Sequence, residues 1–187
     1  MKADANTPDN NWQACFKELA PKLLLYARQW TQSTADAEDV VQMAFVRWWQ
    51  RNPGGDRAHV PLLYAAVRTI SLDVHKSATR RAVREAASEL ALHDTDAPWF
   101  DPSLEDRETA KMLERAVQEL PAEQREVVTL RIWGGLTFAE IATATGDTTN
   151  TVASRYRYAL NNLHRVLEPH REDLGARECH ANDRQRD

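Results

Sequence analysis

LPAEQREVVTLRIWGGLTFAEIATATGDTTNTVASRYRYALNNL, residues 120–163, decides the fold. Apolar residues recur in it at helical spacing, the pattern breaks at Gly146, and a longer periodic segment carrying Arg155 and Arg157 follows. Phe138, Ile141 and Ala142 make the inner face of a first short helix. Gly146 supplies the positive-φ residue that ends it, and Thr148 or Thr149 caps the next. In that next helix Val152, Tyr156, Ala159, Leu160 and Leu163 fall on one stripe, which turns Asn150, Thr151, Ser154, Arg155, Arg157 and Tyr158 to the outside or the flanks. Two helices at a tight turn, the second with a donor-rich outer face, form a helix-turn-helix, an arrangement that reads duplex DNA. A plain helical hairpin is the alternative, and the basic, hydroxyl-rich face argues against it.

Upstream of this segment, Met112, Leu113, Ala116, Val117 and Leu120 form another helical stripe that stops at Pro121. Pro121 suits the first turn of a helix over 122–132. Further upstream, ALHDTDAPWFDPSLEDRE (91–108) combines Pro98 and Pro102 with many acids, and predicts an extended connection.

The N-terminal part is also helical in pattern. Trp12, Phe16, Leu19, Leu23, Tyr26 and Trp30 step by three and four, with Pro21 expected to break or kink the helix. Ser33 or Thr34 caps a cleaner helix whose apolar stripe is Ala37, Val40, Val41, Ala44, Phe45 and Trp48. Its other face shows Asp39, Gln42, Met43, Arg47 and Trp49. A Met and a Trp among charged residues there suggest a docking surface; an ordinary solvated face with Trp49 tucked against a neighbour is the alternative. Asn52-Pro53-Gly54-Gly55-Asp56 is a loop, and Leu62, Leu63, Ala66, Val67, Ile70 and Val74 make a third stripe. Tyr64, Arg68, Thr69, Lys76, Arg80 and Arg81 lie beside and beyond it. Rings mixed with cations suit single-stranded nucleic acid, whose bases stack and whose phosphates need positive charge.

Net charge is −4, which argues little by itself, whereas its distribution is informative. From 57 to 84, six bases (Arg57, Arg68, Lys76, Arg80, Arg81, Arg84) oppose Asp73 alone. From 85 to 126, twelve acids oppose four bases; from 127 to 167, four bases oppose Glu140 and Asp147. Two basic blocks thus flank an acidic one. The expected architecture is all-α: two small helical domains, 1–84 and 108–168, joined by an acidic linker at 85–107 and followed by a polar tail at 169–187. With 42% apolar and 28% charged residues the chain has the composition of a soluble protein. It has no membrane-length apolar run and no signal-peptide pattern, so the expected location is cytoplasmic.

Enzyme signatures are lacking. Gly54-Gly55 has no Lys and Ser or Thr partner for a nucleotide cradle, and the six His are dispersed. His164, His170, Cys179 and His180 match no common zinc spacing, and Cys15 on an apolar stripe is a small buried hydrophobe. No catalytic residue, metal, cofactor or small-molecule substrate is expected.

Three segments together carry a family resemblance: DAEDVVQMAFVRWW (36–49), LLYAAVRTISLDVHK (62–76) and residues 120–160. In that order they resemble a bacterial sigma factor of the extracytoplasmic-function group, sigma-70 family, over about four fifths of the chain. A helix-turn-helix alone would also fit the output domain of a response regulator, but no α/β receiver pattern precedes it. The resemblance implies a factor that directs core RNA polymerase to promoters and assists melting. It implies core RNA polymerase (beta-prime clamp helices, beta flap) as the partner, with Asp39, Gln42, Met43, Arg47 and Trp49 on the polymerase-binding helix. It implies minus-ten strand contacts by Arg57, His59, Tyr64, Arg68, Thr69, Lys76, Arg80 and Arg81 in the loop 52–59 and the helix after it. Minus-thirty-five contacts would come from Arg131, Asn150, Thr151, Ser154, Arg155, Arg157 and Tyr158, and an anti-sigma factor is implied as a further partner. Met43 departs from the family's frequent acid, Leu62 and Thr69 from a frequent Trp and Asn, and Ala153 from a frequent Lys or Arg.

Overall fold

A computed structural model describes residues 8–85 and 107–170. Residues 86–106 of the acidic connection, including Ser103 and Leu104 near which the sequence predicts that helix resumes, and residues 171–187 of the polar tail lie outside the described residues. The described elements are helices and short 3-10 turns, so the all-α expectation holds among them.

Helix α1 (Pro8–Ala27), α2 (Thr34–Arg51) and α3 (Val60–Glu85) pack on one another as the front unit. Of the expected break or kink at Pro21, no break occurs: α1 runs unbroken through it. Leu19 and Leu23, buried on either side of the proline, anchor both halves to the same core, and that packing outweighs one lost backbone hydrogen bond. Trp12 stacks on Phe16 (5.5 Å between ring centroids), and both meet the edge or face of Phe45 at 5.8 and 4.9 Å. All six residues of the α2 stripe are buried. Ser33 is its cap: the Oγ accepts a hydrogen bond from the Asp36 amide at 3.0 Å. The loop after α2 contains a 3-10 turn, Arg57–His59, opened by Asp56, whose carboxylate accepts from the Ala58 amide. Trp48 pins the loop from below by donating Nε1–H to the His59 carbonyl at 2.9 Å. Gly55 is required here: its φ is +68°, and a Cβ would stand 2.8 Å from the Trp49 ring and 3.2 Å from Cys15 Sγ.

The rear unit comprises α4 (Arg107–Gln118), α5 (Ala122–Ile132), α6 (Phe138–Thr145) and α7 (Thr149–Leu167), closed by a 3-10 turn, Glu168–His170. Pro121 caps α5, whose bounds match the sequence expectation, by offering its carbonyl to the amides of Gln124 and Arg125. Thr137 and Glu140 form a reciprocal capping box at the start of α6, a Thr-x-x-Glu signal that the sequence reading passed over. Gly146 ends α6 at φ +78°, ψ +17°, and Thr148 Oγ1 accepts from the Thr151 amide to start α7. The helix-turn-helix is therefore built from its local signals as expected. One core of this unit collects Ala116, Val117, Leu120, Val128, Ala159 and Leu163. Two stripe positions fall outside: Leu160 on α7 and Leu62 on α3 are exposed, because each stands at the margin of its stripe and no neighbouring helix covers that side.

The two units share a second, larger core. Leu23, Tyr26, Leu63, Tyr64 and Val67 of the front unit belong to one apolar cluster with Val127, Leu130, Leu136, Ile141, Ala144 and Val152 of the rear unit. Helix α6 lies on α3, and α5 touches α1. Five consecutive residues of α5, Glu126 to Leu130, are buried in consequence. A helix covered on both faces cannot show a single apolar stripe, so periodicity gave no warning of this seam.

Candidate nucleic-acid and polymerase interfaces

The recognition helix α7 presents its first three turns as an open polar surface. At 3.6 residues per turn, Asn150, Ser154, Arg157 and Tyr158 share one side, opposite Val152, Ala159 and Leu163 in the core. Asn150, Arg157 and Tyr158 are exposed, Tyr158 by 54%, and the Arg157 guanidinium lies 5.3 Å from the Tyr158 ring. Thr151 and Arg155 occupy the margins. Thr151 Oγ1 is 2.9 Å from Thr148 Oγ1 in the cap, and Arg155 pairs with Asp147 at the turn. Side chains with forked or paired donors, on a helix held out by a tight turn, are suited to base edges and phosphates in a major groove.

Arg131, a sequence candidate for the same surface, has partners within its own unit. It donates Nη1–H to the Leu136 carbonyl at 2.8 Å and lies over the Phe138 ring at 5.2 Å, bracing the turn between α5 and α6. That geometry lets it brace the turn with one nitrogen while the residue stays exposed on the surface.

On the front unit, Asp39, Gln42, Met43 and Arg47 are exposed together on α2, as expected for a docking face. Val46, 45% exposed, lies in the middle of that face, where the sequence pattern assigned it neither to the stripe nor to the surface. Trp49 departs from the expectation. It is half-buried at the margin, stacked on Phe45 at 6.0 Å and packed against Gly55, so its ring supports the loop and is withdrawn from the docking face. Arg47, Leu62, Thr69 and Ile70 line a groove of about 380 Å³ between α2 and α3, which brings the polymerase-side and strand-side candidates to one place.

The strand-side residues divide. Arg57 is exposed in the loop and held by two hydrogen bonds to Glu18, at 2.6 and 2.8 Å. His59 faces Asp56 at 3.7 Å. Thr69 and Lys76 are exposed, Thr69 with its hydroxyl donated to the Ala65 carbonyl. Arg80 and Arg81 lie on α3 with side chains outside the described part. Tyr64 is a correction: it is 1% exposed, edge-on to Tyr26 at 5.4 Å, and burial pushes its phenol far above the usual range. No base can stack on it, because the i, i+4 position from Val60 that looked like a flank is turned inward by α1. Arg68 is engaged by the rear unit. Its Nε donates to Glu126 Oε1 of the rear unit at 2.8 Å, and its guanidinium stands 5.8 Å from the Trp30 ring.

Glu126 carries no sequence signal beyond its membership of an acidic block. It is 1% exposed and accepts from both Arg68 and the Tyr26 hydroxyl, the latter at 2.6 Å. Burial, then the charge and hydrogen bond of Glu126, push the Tyr26 phenol well above the usual tyrosine range, so it stays a donor. Burial alone would lower the Arg68 guanidinium, but Glu126, with Tyr26 and Asp147 adding to it, holds it above its ordinary value.

Fold and surfaces define a class: a two-part helical DNA reader in which a helix-turn-helix is coupled to a second helical unit bearing a docking face. Known proteins narrow it. Residues 15–70 match the family description Sigma-70 region 2, and residues 110–163 match Sigma-70, region 4. The chain is 31% identical over 159 residues to the ECF RNA polymerase sigma factor SigL of Mycobacterium tuberculosis, covering 83% of this chain and 88% of that one. It is 31% identical over 164 residues to the RNA polymerase sigma-E factor of Streptomyces avermitilis, 88% of each chain. Among solved structures, the sigma factor RpoE in complex with the anti-sigma factor NepR from Bartonella quintana superposes with a TM-score of 0.61 at 20% identity, covering 83% of this chain and 96% of that one, which shows a shared fold. The chain belongs to the extracytoplasmic-function sigma factors of the sigma-70 family.

Proposed function

We propose that this sigma factor divides promoter recognition between its two units while core RNA polymerase holds both. The outer face of α2 (Asp39, Gln42, Met43, Val46, Arg47) docks on the polymerase. Arg57, His59, Thr69, Lys76, Arg80 and Arg81, with Arg68 once it is released from Glu126, hold the melted minus-ten strand. Asn150, Thr151, Ser154, Arg155, Arg157 and Tyr158 read the minus-thirty-five element in the major groove. The domain bounds 1–84 and 108–168 and the acidic linker 85–107 belong to this reading. It also places the factor in the cytoplasm as a non-catalytic protein without a cofactor. No described helix is long and apolar enough to cross a membrane. An anti-sigma factor covering the docking faces would regulate it.

The observation that carries the reading is the exposed polar face of α7, set out by Gly146 and Thr148 from a buried Val152–Ala159–Leu163 side. Neither unit need bind strongly alone, because tethering on polymerase raises the effective concentration of each for its element. Free protein is therefore expected to bind duplex promoter poorly; nanomolar affinity without polymerase would contradict the scheme. The decisive experiment is in vitro transcription with core polymerase on a promoter library. Replacing Arg155 and Arg157 together by Ala should lower specific transcription about 10- to 100-fold, the equivalent of one or two lost base or phosphate contacts. Co-elution with core polymerase should be unchanged. A protein-binding adaptor would be indifferent to both replacements.

A further inference from the structure

Helix α7 is longer than the surface assigned to it. The residues given the minus-thirty-five element stop at Tyr158, and the helix runs on to Leu167. At about 100° per residue, Asn161 and Arg165 fall on the same outward strip as Asn150, Ser154 and Arg157, opposite the buried Val152, Ala159 and Leu163. Both are exposed. The way polar side chains are engaged separates this strip from its flanks. Off the strip they are spent within the protein: Thr151 on Thr148, Arg155 on Asp147, Asn162 on Gln124 Oε1 at 2.8 Å, and His164 on Glu168 at 3.2 Å. On the strip, Asn150, Ser154, Asn161 and Arg165 have no hydrogen bond or ion pair among the described residues, and Arg157 has the Tyr158 ring. Donors held out in one line and paired on both sides of it suit a ligand that lies along the helix.

Length decides what the added turns meet. The strip from Asn150 to Arg165 is roughly 22 Å long at about 1.5 Å per residue. The major groove is about 12 Å wide, so a straight helix whose first turns sit on base edges has left them before Arg165 and passes a wall of phosphates. We propose that Asn161 and Arg165 form a backbone clamp: they bind phosphates of the duplex beside the minus-thirty-five bases and add affinity that does not depend on sequence. The inference rests on the reading of α7 as the minus-thirty-five helix. Arg165 supplies a charge, and the counterion it displaces from the duplex makes its contribution salt-dependent. Asn161, one turn nearer the bases, supplies a neutral donor. Glu168, the acid at the C-cap of α7, repels phosphate and ends the clamp at Arg165.

The test uses the full-length factor assembled with core polymerase and titrated against fluorescein-labelled promoter duplexes over a range of potassium chloride concentrations. One set of duplexes carries single-base changes across the minus-thirty-five element, and another ends downstream of it. Arg165→Ala should lower affinity about eightfold at roughly 0.1 M salt and reduce the slope of log affinity on log salt by about 0.9, the worth of one phosphate contact. The loss should be equal on every base variant and absent on the duplex that stops short of the element. Arg165→Lys, which keeps the charge, should restore the slope. Asn161→Ala should weaken binding about threefold and leave the slope unchanged, as for one neutral hydrogen bond. Arg157→Ala provides the contrast, its loss differing from one base variant to the next. An unchanged slope in Arg165→Ala, a loss that follows the base sequence, or a loss that persists on the short duplex overturns the clamp. If Arg165→Ala lowers the melting temperature of the factor, Arg165→Gln, which keeps the length of the side chain, decides by the same criteria. Failure of the minus-thirty-five reading is separable, because Arg157→Ala would then be indifferent to the element as well.

Discussion

Helices α3 and α7 carry the same kinds of residue, Tyr and Arg beside an apolar stripe, and they use them in opposite ways. On α7, Tyr158 and Arg157 stand in solvent beside each other. On α3, Tyr64 is enclosed by the packing of α1, and Arg68 is taken by a carboxylate of another unit. The difference lies in what covers each helix. One side of α7 faces α5 and α6 and the other is left open, whereas α3 is contacted by α1 and α2 within its unit and by α6 from outside. Residue type offers a chemistry, and the neighbours determine whether it is available.

The contrast breaks most readily at Tyr64. Tyr64→Ala should destabilise the protein by about 3–5 kcal/mol, the usual range for emptying an aromatic core position, measured by denaturant unfolding. The matching truncation Tyr158→Ala on α7 should stay within about 0.5 kcal/mol. Because the Tyr64 hydroxyl finds no hydrogen-bond partner among the described residues, Tyr64→Phe should leave both stability and promoter opening intact. Loss of opening by a stably folded Tyr64→Phe protein would mean that the ring does reach DNA.

A smaller effect tests how α7 is held out. Gly146 sits at φ +78° with open space around it, so Gly146→Ala meets no steric clash and should cost about 1–2 kcal/mol for the left-handed backbone alone. Thermal melts should register that loss, and minus-thirty-five-dependent transcription should fall with it while oligothymidylate binding does not.

The smallest effect concerns the cap of α6. The Thr137 amide and then its hydroxyl donate to Glu140, holding that carboxyl below the usual glutamate range. A carboxyl depressed in the folded state stabilises fully above its unfolded value, and its contribution fades as pH falls through the folded one. Stability of the wild type should therefore decline at acid pH slightly more than that of Thr137→Ala, which keeps the amide donor and loses only the hydroxyl one; once Glu140 is protonated in both, the difference narrows to the bond from the Glu140 amide to Thr137 Oγ1, which does not titrate. At neutral pH Thr137→Ala should cost about 1 kcal/mol. Parallel pH–stability curves for the two proteins would remove the capping box from the account.

Legibility followed the range of the interaction. The six buried residues of α2, the bounds of α5 and the turn at Gly146 depend on neighbours within a few positions, and the sequence displays them; the caps it narrows to Ser33 or Thr34 and Thr148 or Thr149, of which the structure uses Ser33 and Thr148. The candidate surface on α7 was legible for the same reason, being the remainder of a strong stripe. Pro21 misled because its local penalty is visible while the anchoring of Leu19 and Leu23 is not. Leu62 and Leu160 misled because a stripe marks apolar residues without marking where the covering helix stops. Trp49 and Arg131 looked like surface tools and serve as supports, one beneath Gly55 and the other behind Leu136.

By itself the sequence determined the helices, their caps, the helix-turn-helix and membership of the family, because periodicity, capping and turn chemistry are local and the matching motifs are contiguous. Only the tertiary structure decided that the units share a core, that Tyr64 is interior and that Arg68 answers to Glu126. Those outcomes depend on residues 58 and 100 positions apart meeting in space, where desolvation makes one carboxylate select its partners.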